Sequence, residues 1–405
     1  MSKPILVLAY SGGLDTTYCA SLLRETTEYD IHAVAVQTGG FSDPELAQIE
    51  ARALQAGAHR FTVLDETRRY YERILRYLLY GNVLKNQTYP LSVSAERMAQ
   101  ATALAAYARL HGAEAVAHGS TGAGNDQIRF DMVLQTLLPG VKILTPIRDG
   151  AVSRQEELDH LRERGIEFPA QKAVYSINQG LWGTSVGGAE TLNSRHPLPE
   201  QAWPVPATRT EPVSLHLDFE QGEPTALDGR AFDHPVDLVR KLHALAAPYG
   251  IGRDIHVGDT ILGIKGRVGF EAAAPLILIR AHQLLEKHVL GKFQLAWKQQ
   301  LGDFYGNHLH EGHYLDPVMR DIEAFLHSTQ ERVSGRVHLA LHPFRFELHG
   351  IESPHDLMSS DFGVYGEVNS AWSADDAKGF IRIYGNATAL HYRVNGLPNP
   401  YERPE

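Results

Sequence analysis

The sequence predicts an α/β protein. A doubly wound parallel sheet is expected over residues 1–170, an α+β domain over 171–370 and a C-terminal tail over 371–405. Three observations carry that reading. Apolar runs alternate with helical stretches in the first part, glycine-rich loops follow those runs, and the later sequence turns to hairpin patterns. Buried strands alternating with helices indicate a parallel sheet, whose ligands bind beyond the carboxyl ends of its strands.

The strand candidates are ILVLAY (5–10), HAVAVQ (32–37), FTVLD (61–65), AEAVAHG (113–119) and VKILTPI (141–147). Helical spacing fills the intervals, as in 44–57 and 94–110. SGGLDT, QTGGFSD and GSTGAGND each follow a strand directly. Further on, LHLDFEQGEPTALDG and RVHLALHPFRFELHG read as hairpins, separated by helical stretches at 234–248 and 276–301. PEQAWPVPATRTEP (199–212) is a proline-rich connector, and the tail holds one more helix or strand.

Composition narrows the function classes. The chain has 405 residues, beyond the roughly 250–300 at which single cores stop growing. Its net charge of −10 argues against broad attraction to nucleic acid. No apolar stretch approaches the roughly 20 residues of a membrane span. The single cysteine, Cys19, excludes an internal disulfide and a cysteine zinc cluster. With an N-terminus that reads as a buried strand, these features give a cytoplasmic expectation.

In AYSGGLDTT the glycine pair lets the backbone turn tightly, and the helix that follows adds its positive end, a combination suited to phosphate. A Walker A loop would end in a lysine, and none is present. Ser11, Thr16 and Thr17 surround the turn, and Asp15 can order the loop or a metal ion. In GSTGAGNDQIRF three glycines permit close backbone approach. Asn125 and Asp126 supply an amide and a carboxylate at a helix start, and Arg129 shares their helical face. A carboxylate for an amine and a guanidinium for a carboxylate suit amino-acid substrates. HLHEGH (308–313) lacks a zinc-binding spacing and reads better as a polar helix end or subunit contact.

SGGLDT after a first strand is similar to the pyrophosphate-binding motif of the N-type ATP pyrophosphatases. Within that group the chain resembles the argininosuccinate synthase family over nearly its whole length. TYPLSVSAER (88–97), HGSTGAGNDQIRF (118–130) and YSINQGLWGTS (175–185) carry the likeness, with weaker agreement in YGIGRDIHVGD, GIKGRVGFEAAAP and DAKGFIRI. The resemblance implies that the ureido oxygen of citrulline attacks the α-phosphate of ATP, and that aspartate's amine then displaces AMP. It implies ATP contacts at Ala9, Tyr10, Ser11, Gly12, Gly13, Leu14, Asp15, Thr16, Thr17, Val36 and Gly119. Aspartate is expected at Thr121, Asn125 and Asp126, and citrulline at Tyr89, Ser94, Asn125, Arg129, Ser176 and Ser185. No catalytic nucleophile is implied, Mg²⁺ is expected on the triphosphate, and the assembly implied is a homotetramer.

There are departures. Leu91-Ser92-Val93-Ser94 stands where the family has Leu-Gly-Thr-Ser, and Gly258 and Phe270 stand where it places a citrulline-binding glutamate and tyrosine. Asp259 could replace the carboxylate. Alternatively the substrate is an N-acylated citrulline with an uncharged α-nitrogen. A non-catalytic ATP sensor is the reading from another class, and an assay of pyrophosphate release would discriminate between the two.

Overall fold

The run ILVLA forms β1 (Ile5–Ala9), joined in one sheet by β2 (Asp30–Gln37), β3 (Arg60–Asp65), β4 (Ala115–Ala117) and β5 (Lys142–Leu144). All pairs are parallel, in the order β3-β2-β1-β4-β5, so strand order reverses between β1 and β4. A computed structural model describes residues 3–168, 175–359, 363, 365–367 and 371–402. Residues 1–355 form one compact unit and 356–405 a second. The boundaries expected at 170 and 370 fall outside the described residues.

Alternation along β1 assigns its side chains to two cores. Leu6 and Leu8 join α1 (Leu14–Thr26) on one face, while Val7 joins the core on the other. Each fully buried leucine contributes about 1.5–3 kcal/mol. Between β2 and β3 runs α2 (Asp43–Gln55). After β3 come α3 (Thr67–Tyr70), a π-helical segment (Tyr71–Leu75) and α4 (Arg76–Tyr80). Then α5 (Ser92–Leu110) leads to β4, α6 (Asp126–Leu137) to β5, and α7 (Pro146–Gly150) and α8 (Arg154–Glu163) follow.

Beyond residue 175 the strands become antiparallel. A hairpin of β6 (Ser176–Gly180) and β7 (Gly183–Gly187) leads to β8 (Val213–Glu220), β9 (Glu223–Leu227) and the short β10 (Arg230–Ala231). After α9 (Pro235–Ala246) come β11 (Arg253–Asp259) and β12 (Lys265–Glu271). The helical stretch expected at 276–301 is two helices, α10 (Ala273–Val289) and α11 (Lys292–His310). Leu290 and Gly291 are extended, and the Gly291 N–H donates to Gln294 Oε1 at 3.2 Å, which starts the second helix afresh. Then α12 (Pro317–Thr329), β13 (Gly335–His342) and β14 (Arg345–Glu352) close the unit. The sheets are ordered β10-β9-β8-β13-β14 and β11-β12-β7-β6. In the second unit the tail forms two helices, α13 (Ala374–Tyr384) and α14 (Asn386–Asn395), where one element was expected.

Candidate active site

The turn after β1 is built around Gly12, whose φ of +71° favours glycine and whose added Cβ would lie 2.7 Å from Ile49 Cγ1. Arg52 clamps this turn by donating to the Gly12 carbonyl at 2.5 Å. Helix α1 then starts at Gly13, which brings no capping side chain, so its first turn carries the positive end of the helix dipole without a side-chain cap. Ser11 Oγ accepts from the Gly13 N–H at 3.3 Å, and Thr16 Oγ1 stands 3.4 Å from Ser11. Thr17 donates to the Gly13 carbonyl at 2.7 Å and meets the Tyr10 hydroxyl at 3.1 Å. Ala9 ends β1, Leu14 and Asp15 open α1, and Val36 lies near the end of β2. A Cβ on Gly119 would come within 3.2 Å of Asp15, so the loop after β4 rests directly on the first turn of α1. The expected cradle residues are therefore neighbours at the switch point of the sheet.

Across that edge lies a charged lattice. Asp126, at the start of α6, accepts from Arg97 Nε at 2.9 Å and from Arg129 Nη1 at 3.0 Å. Burial works against its charge, but the two guanidiniums outweigh burial and hold the carboxyl below its ordinary range. Arg97 also donates to Glu96, Gln100 and Asn178 Oδ1, the last at 2.6 Å. Glu96 in turn accepts from Thr38 Oγ1 at 2.5 Å. Burial pushes its carboxyl up. Arg97 thus ties the ends of α5, α6 and β6 together, a role absent from the sequence reading although TYPLSVSAER contains it. Its signal was an adjacent Glu-Arg pair near the start of a largely buried, alanine-rich helix. Thr121 is exposed in the glycine loop.

Asn125 Oδ1 accepts from the Ile261 N–H at 2.8 Å, which draws the β11–β12 turn to the same place. Arg129 is 3 % exposed and uses four of its five N–H groups within the protein. Nε and Nη2 donate to the His310 carbonyl at 3.0 and 2.8 Å, Nη2 also lies 3.3 Å from His310 Nδ1, and Nη1 faces Asp126. Ser94 Oγ meets the same Nδ1 at 3.0 Å. Tyr89 is buried, its hydroxyl between Ser92 Oγ at 3.2 Å and the Val93 N–H at 3.1 Å, so Ser92 and Val93 each supply a partner where the family's loop differs. Ser94 and Arg129 converge on His310, and Asn125 ties the start of α6 to Ile261. Ser185 is buried opposite Phe270 on β12, whereas Ser176 is exposed on the edge strand β6.

The departures have a physical reading here. A Cβ on Gly258 would sit 2.6 Å from His256 Nε2, so the imidazole fills the space a side chain there would need. His256 stacks on Tyr89 with ring centroids 5.0 Å apart, and Phe270 tilts against the same ring at 5.2 Å. Asp259 is exposed and paired with Lys265 at 2.7 Å. In HLHEGH, His308 and His310 form the last turn of α11, with His308 stacked on Phe304. Among the described residues no group of three or more His, Cys, Asp or Glu is arranged to hold a metal ion. Cys19 is fully buried, and burial raises its thiol pKa, which keeps it inert.

An uncapped helix start at a switch point, facing a lysine-free glycine turn and a carboxylate–guanidinium lattice, defines a nucleotide-dependent ligase of the α/β class. Residues 5–167 match the Arginosuccinate synthase N-terminal HUP domain, and residues 175–391 match the Arginosuccinate synthase C-terminal domain. The chain is 36 % identical over 407 residues to the argininosuccinate synthase of Xanthomonas campestris pv. campestris, covering 98 % of this chain and 100 % of that protein. To the argininosuccinate synthase of Methanocaldococcus jannaschii it is 35 % identical over 390 residues, covering 96 % and 98 %. To that of Dictyoglomus thermophilum it is 34 % identical over 399 residues, covering 98 % and 99 %. The chain belongs to the argininosuccinate synthase family.

Proposed function

We propose that the chain joins citrulline to aspartate at the expense of ATP, giving argininosuccinate, AMP and pyrophosphate in arginine biosynthesis. The observation that carries this reading is the Arg97–Asp126–Arg129 lattice together with the uncapped N-terminus of α1, each following the carboxyl end of a strand in one parallel sheet. The turn from Ala9 to Thr17, with Val36 and Gly119, holds ATP so that its α-phosphorus faces the ureido oxygen. The N–H groups at the α1 terminus stabilise charge on the departing pyrophosphate. Thr121, Asn125 and Asp126 hold aspartate, the carboxylate of Asp126 directing the amine. Tyr89, Ser94, Asn125, Arg129, Ser176 and Ser185 surround citrulline. No side chain acts as nucleophile, because the substrates supply both, and the protein contributes position and electrostatics.

The residues present fit a Mg²⁺ ion carried on the phosphates. The carboxylate nearest the cradle, Asp15, has Glu157 beside it, and burial followed by the charge of Asp15 pushes Glu157 up to about 8. That acid is a poor metal ligand at neutral pH, so phosphate oxygens and water would complete the coordination. When bound, the ion would neutralise phosphate charge.

The division at residues 170 and 370 and a cytoplasmic address belong to the same reading. No helix among the described residues is long and apolar enough to cross a membrane. A homotetramer is supported by α13, whose Phe380, Ile381, Ile383 and Tyr384 are exposed. Light scattering should give four times 44.9 kDa, and a species of one-chain mass would overturn that assembly.

The deciding assay measures pyrophosphate with ATP, aspartate and citrulline, with argininosuccinate identified by mass. Pyrophosphate and AMP formed in equal amounts and only with citrulline are expected. Release of ADP, or no release, overturns the reading. The glycine at 258 and the pairing of Asp259 with Lys265 favour a second substrate. With no unpaired buried carboxylate at that position to meet an α-ammonium, an N-acylated citrulline belongs in a parallel tube. Release only from that tube would make it the substrate.

A further inference from the structure

The loop between β4 and α6, residues 119–125, carries three glycines and no regular structure, so its shape must come from the side chains that grip its backbone. Those side chains belong to the residue before the loop, to α6 and to α7. At the first end, Ser120 donates its N–H to His118 Nδ1 at 3.3 Å. A backbone N–H only donates, so Nδ1 carries the lone pair and the ring proton sits on Nε2. Nε2 in turn donates to Asp131 Oδ1 at 2.8 Å. His118 is 1 % exposed, which shields both bonds from water.

At the other end, the buried Gln127 donates from Nε2 to the Gly122 carbonyl at 2.5 Å and to the Gly124 carbonyl at 3.3 Å. Its Oε1 accepts from Arg148 Nη1 at 3.2 Å, and the same Nη1 donates to Asp131 Oδ2 at 2.7 Å. A guanidinium can face only the oxygen of an amide, so Arg148 fixes which way Gln127 points. The two ends of the loop therefore meet in one carboxylate. Burial opposes the charge of Asp131, but the bonds from His118 and Arg148 outweigh burial and hold its carboxyl below the ordinary range. Asp131 is thus an ionised acceptor for both branches at neutral pH. None of the four side chains is among those expected to touch a substrate.

We propose that Asp131 is a positioning residue for the reaction, setting the shape of the 119–125 loop through His118 on the nucleotide side and through Arg148 and Gln127 on the aspartate side. The proposal rests on the functional reading above, which places ATP at Gly119 and aspartate at Thr121 and Asn125. A loop with three glycines samples many shapes, and bracing it beforehand removes an ordering cost from substrate binding.

The test is steady-state kinetics of the full chain, each substrate varied in turn, with hydrogen exchange of the 118–127 segment as a second readout. Asp131→Asn turns an amide N–H₂ toward one of its two donors. It should raise KM for aspartate about tenfold and KM for ATP about fivefold, the scale of a lost charge-assisted hydrogen bond. Gln127→Met and Arg148→Met should raise KM for aspartate about fivefold and leave KM for ATP within about twofold. His118→Gln keeps an N–H for Asp131 but loses the acceptor for Ser120, and it should show the converse split. Adding Gln127→Met to Asp131→Asn should raise KM for aspartate less than about twofold further, because both cut one chain of bonds. A merely structural role would depress ATP, aspartate and citrulline together with Tm. That uniform loss, additive effects in the double variant, or an aspartate KM within about twofold of wild type in Asp131→Asn overturns the assignment. The Arg148 side chain is 28 % exposed, so Arg148→Met carries the test should Asp131→Asn fail to fold. Absence of pyrophosphate release from wild type overturns the functional reading, and exchange then decides the brace. Exchange across the loop should run at least about fivefold faster in Asp131→Asn than in wild type, and equal rates overturn the brace.

Discussion

The two ends of the site are built differently. At the glycine turn the hydrogen bonds around Ser11 and Thr16 are long, 3.3–3.4 Å, and join residues within one turn of chain. The start of α1 is uncapped, so its donors await acceptors from outside. At the opposite edge Glu96, Arg97, Asp126 and Arg129 each already have partners between 2.5 and 3.1 Å, drawn from the loop after β2 and from α5, α6, β6 and α11. On the proposed function, the first end would gain its order from a polyanion, while the second is ordered beforehand and would impose its geometry on small amino acids. Damage should therefore be graded, severe in the lattice and milder in the turn.

The largest effect is expected from Asp126→Asn. The substitution leaves Arg97 and Arg129 facing each other without the carboxylate between them, and the side chain of Arg129 is 3 % exposed. Losing one partner of a buried pair costs about 3–5 kcal/mol, and the one-third exposure of Asp126 selects the lower end. A fall of about 10²-fold in kcat/KM for aspartate is expected from steady-state kinetics. A loss under about fivefold would mean that the lattice is not preorganised, and the contrast with the turn would fail.

Gly12→Ala should act more mildly and on a different substrate. A left-handed backbone costs an alanine about 1–2 kcal/mol, and the new methyl must displace Ile49 from 2.7 Å. The expected outcome is about a tenfold to fiftyfold rise in KM for ATP, with KM for aspartate within about twofold. Equal damage to both substrates would show that the two ends move as one and would blur the comparison.

The same contrast explains what could be read from the sequence. The parallel sheet and the turn were legible because both are local. Five apolar runs gave five strands, and Ser-Gly-Gly after the first marks its own function. The lattice was half legible. Asn125, Asp126 and Arg129 share one helical turn, but Arg97 and Asn178 join them only through tertiary packing. His310 was noticed only within a histidine-rich stretch, because the contacts that define its role come from residues about 180 and 216 positions away. Leu290-Gly291 was missed as a break between helices since the flanking apolar spacing continues across it. Tyr89 was a site expectation from the resemblance, whereas the positive φ of Asn82, Asn86, Gln87 and Leu91 near it was not legible, none being glycine.

The smallest predicted effect tests what lies behind the open end. Glu157, on α8, is 3 % exposed, with its Oε2 unpartnered and the Asp15 carboxylate of the α1 first turn beside it. Burial first, and Asp15 second, push its pKa from the ordinary 4.5 to about 8. Between those values the folded chain holds a proton that the unfolded chain has released. Stability linked to this group is therefore present at low pH and declines as pH rises through that window. Glu157→Gln mimics the protonated acid at every pH. Wild type should lose a few degrees in Tm between about pH 6 and pH 9 relative to the variant, whose profile over that range is flatter. KM for ATP should rise with pH in wild type more than in Glu157→Gln, because an ionised Glu157 pushes on Asp15 and hence on the turn that Gly119 rests against. Parallel Tm profiles in the two proteins would mean that Glu157 ionises as freely in the folded chain as in the unfolded one. The turn would then lack this protonated support, and its looseness would be a property of the glycines alone.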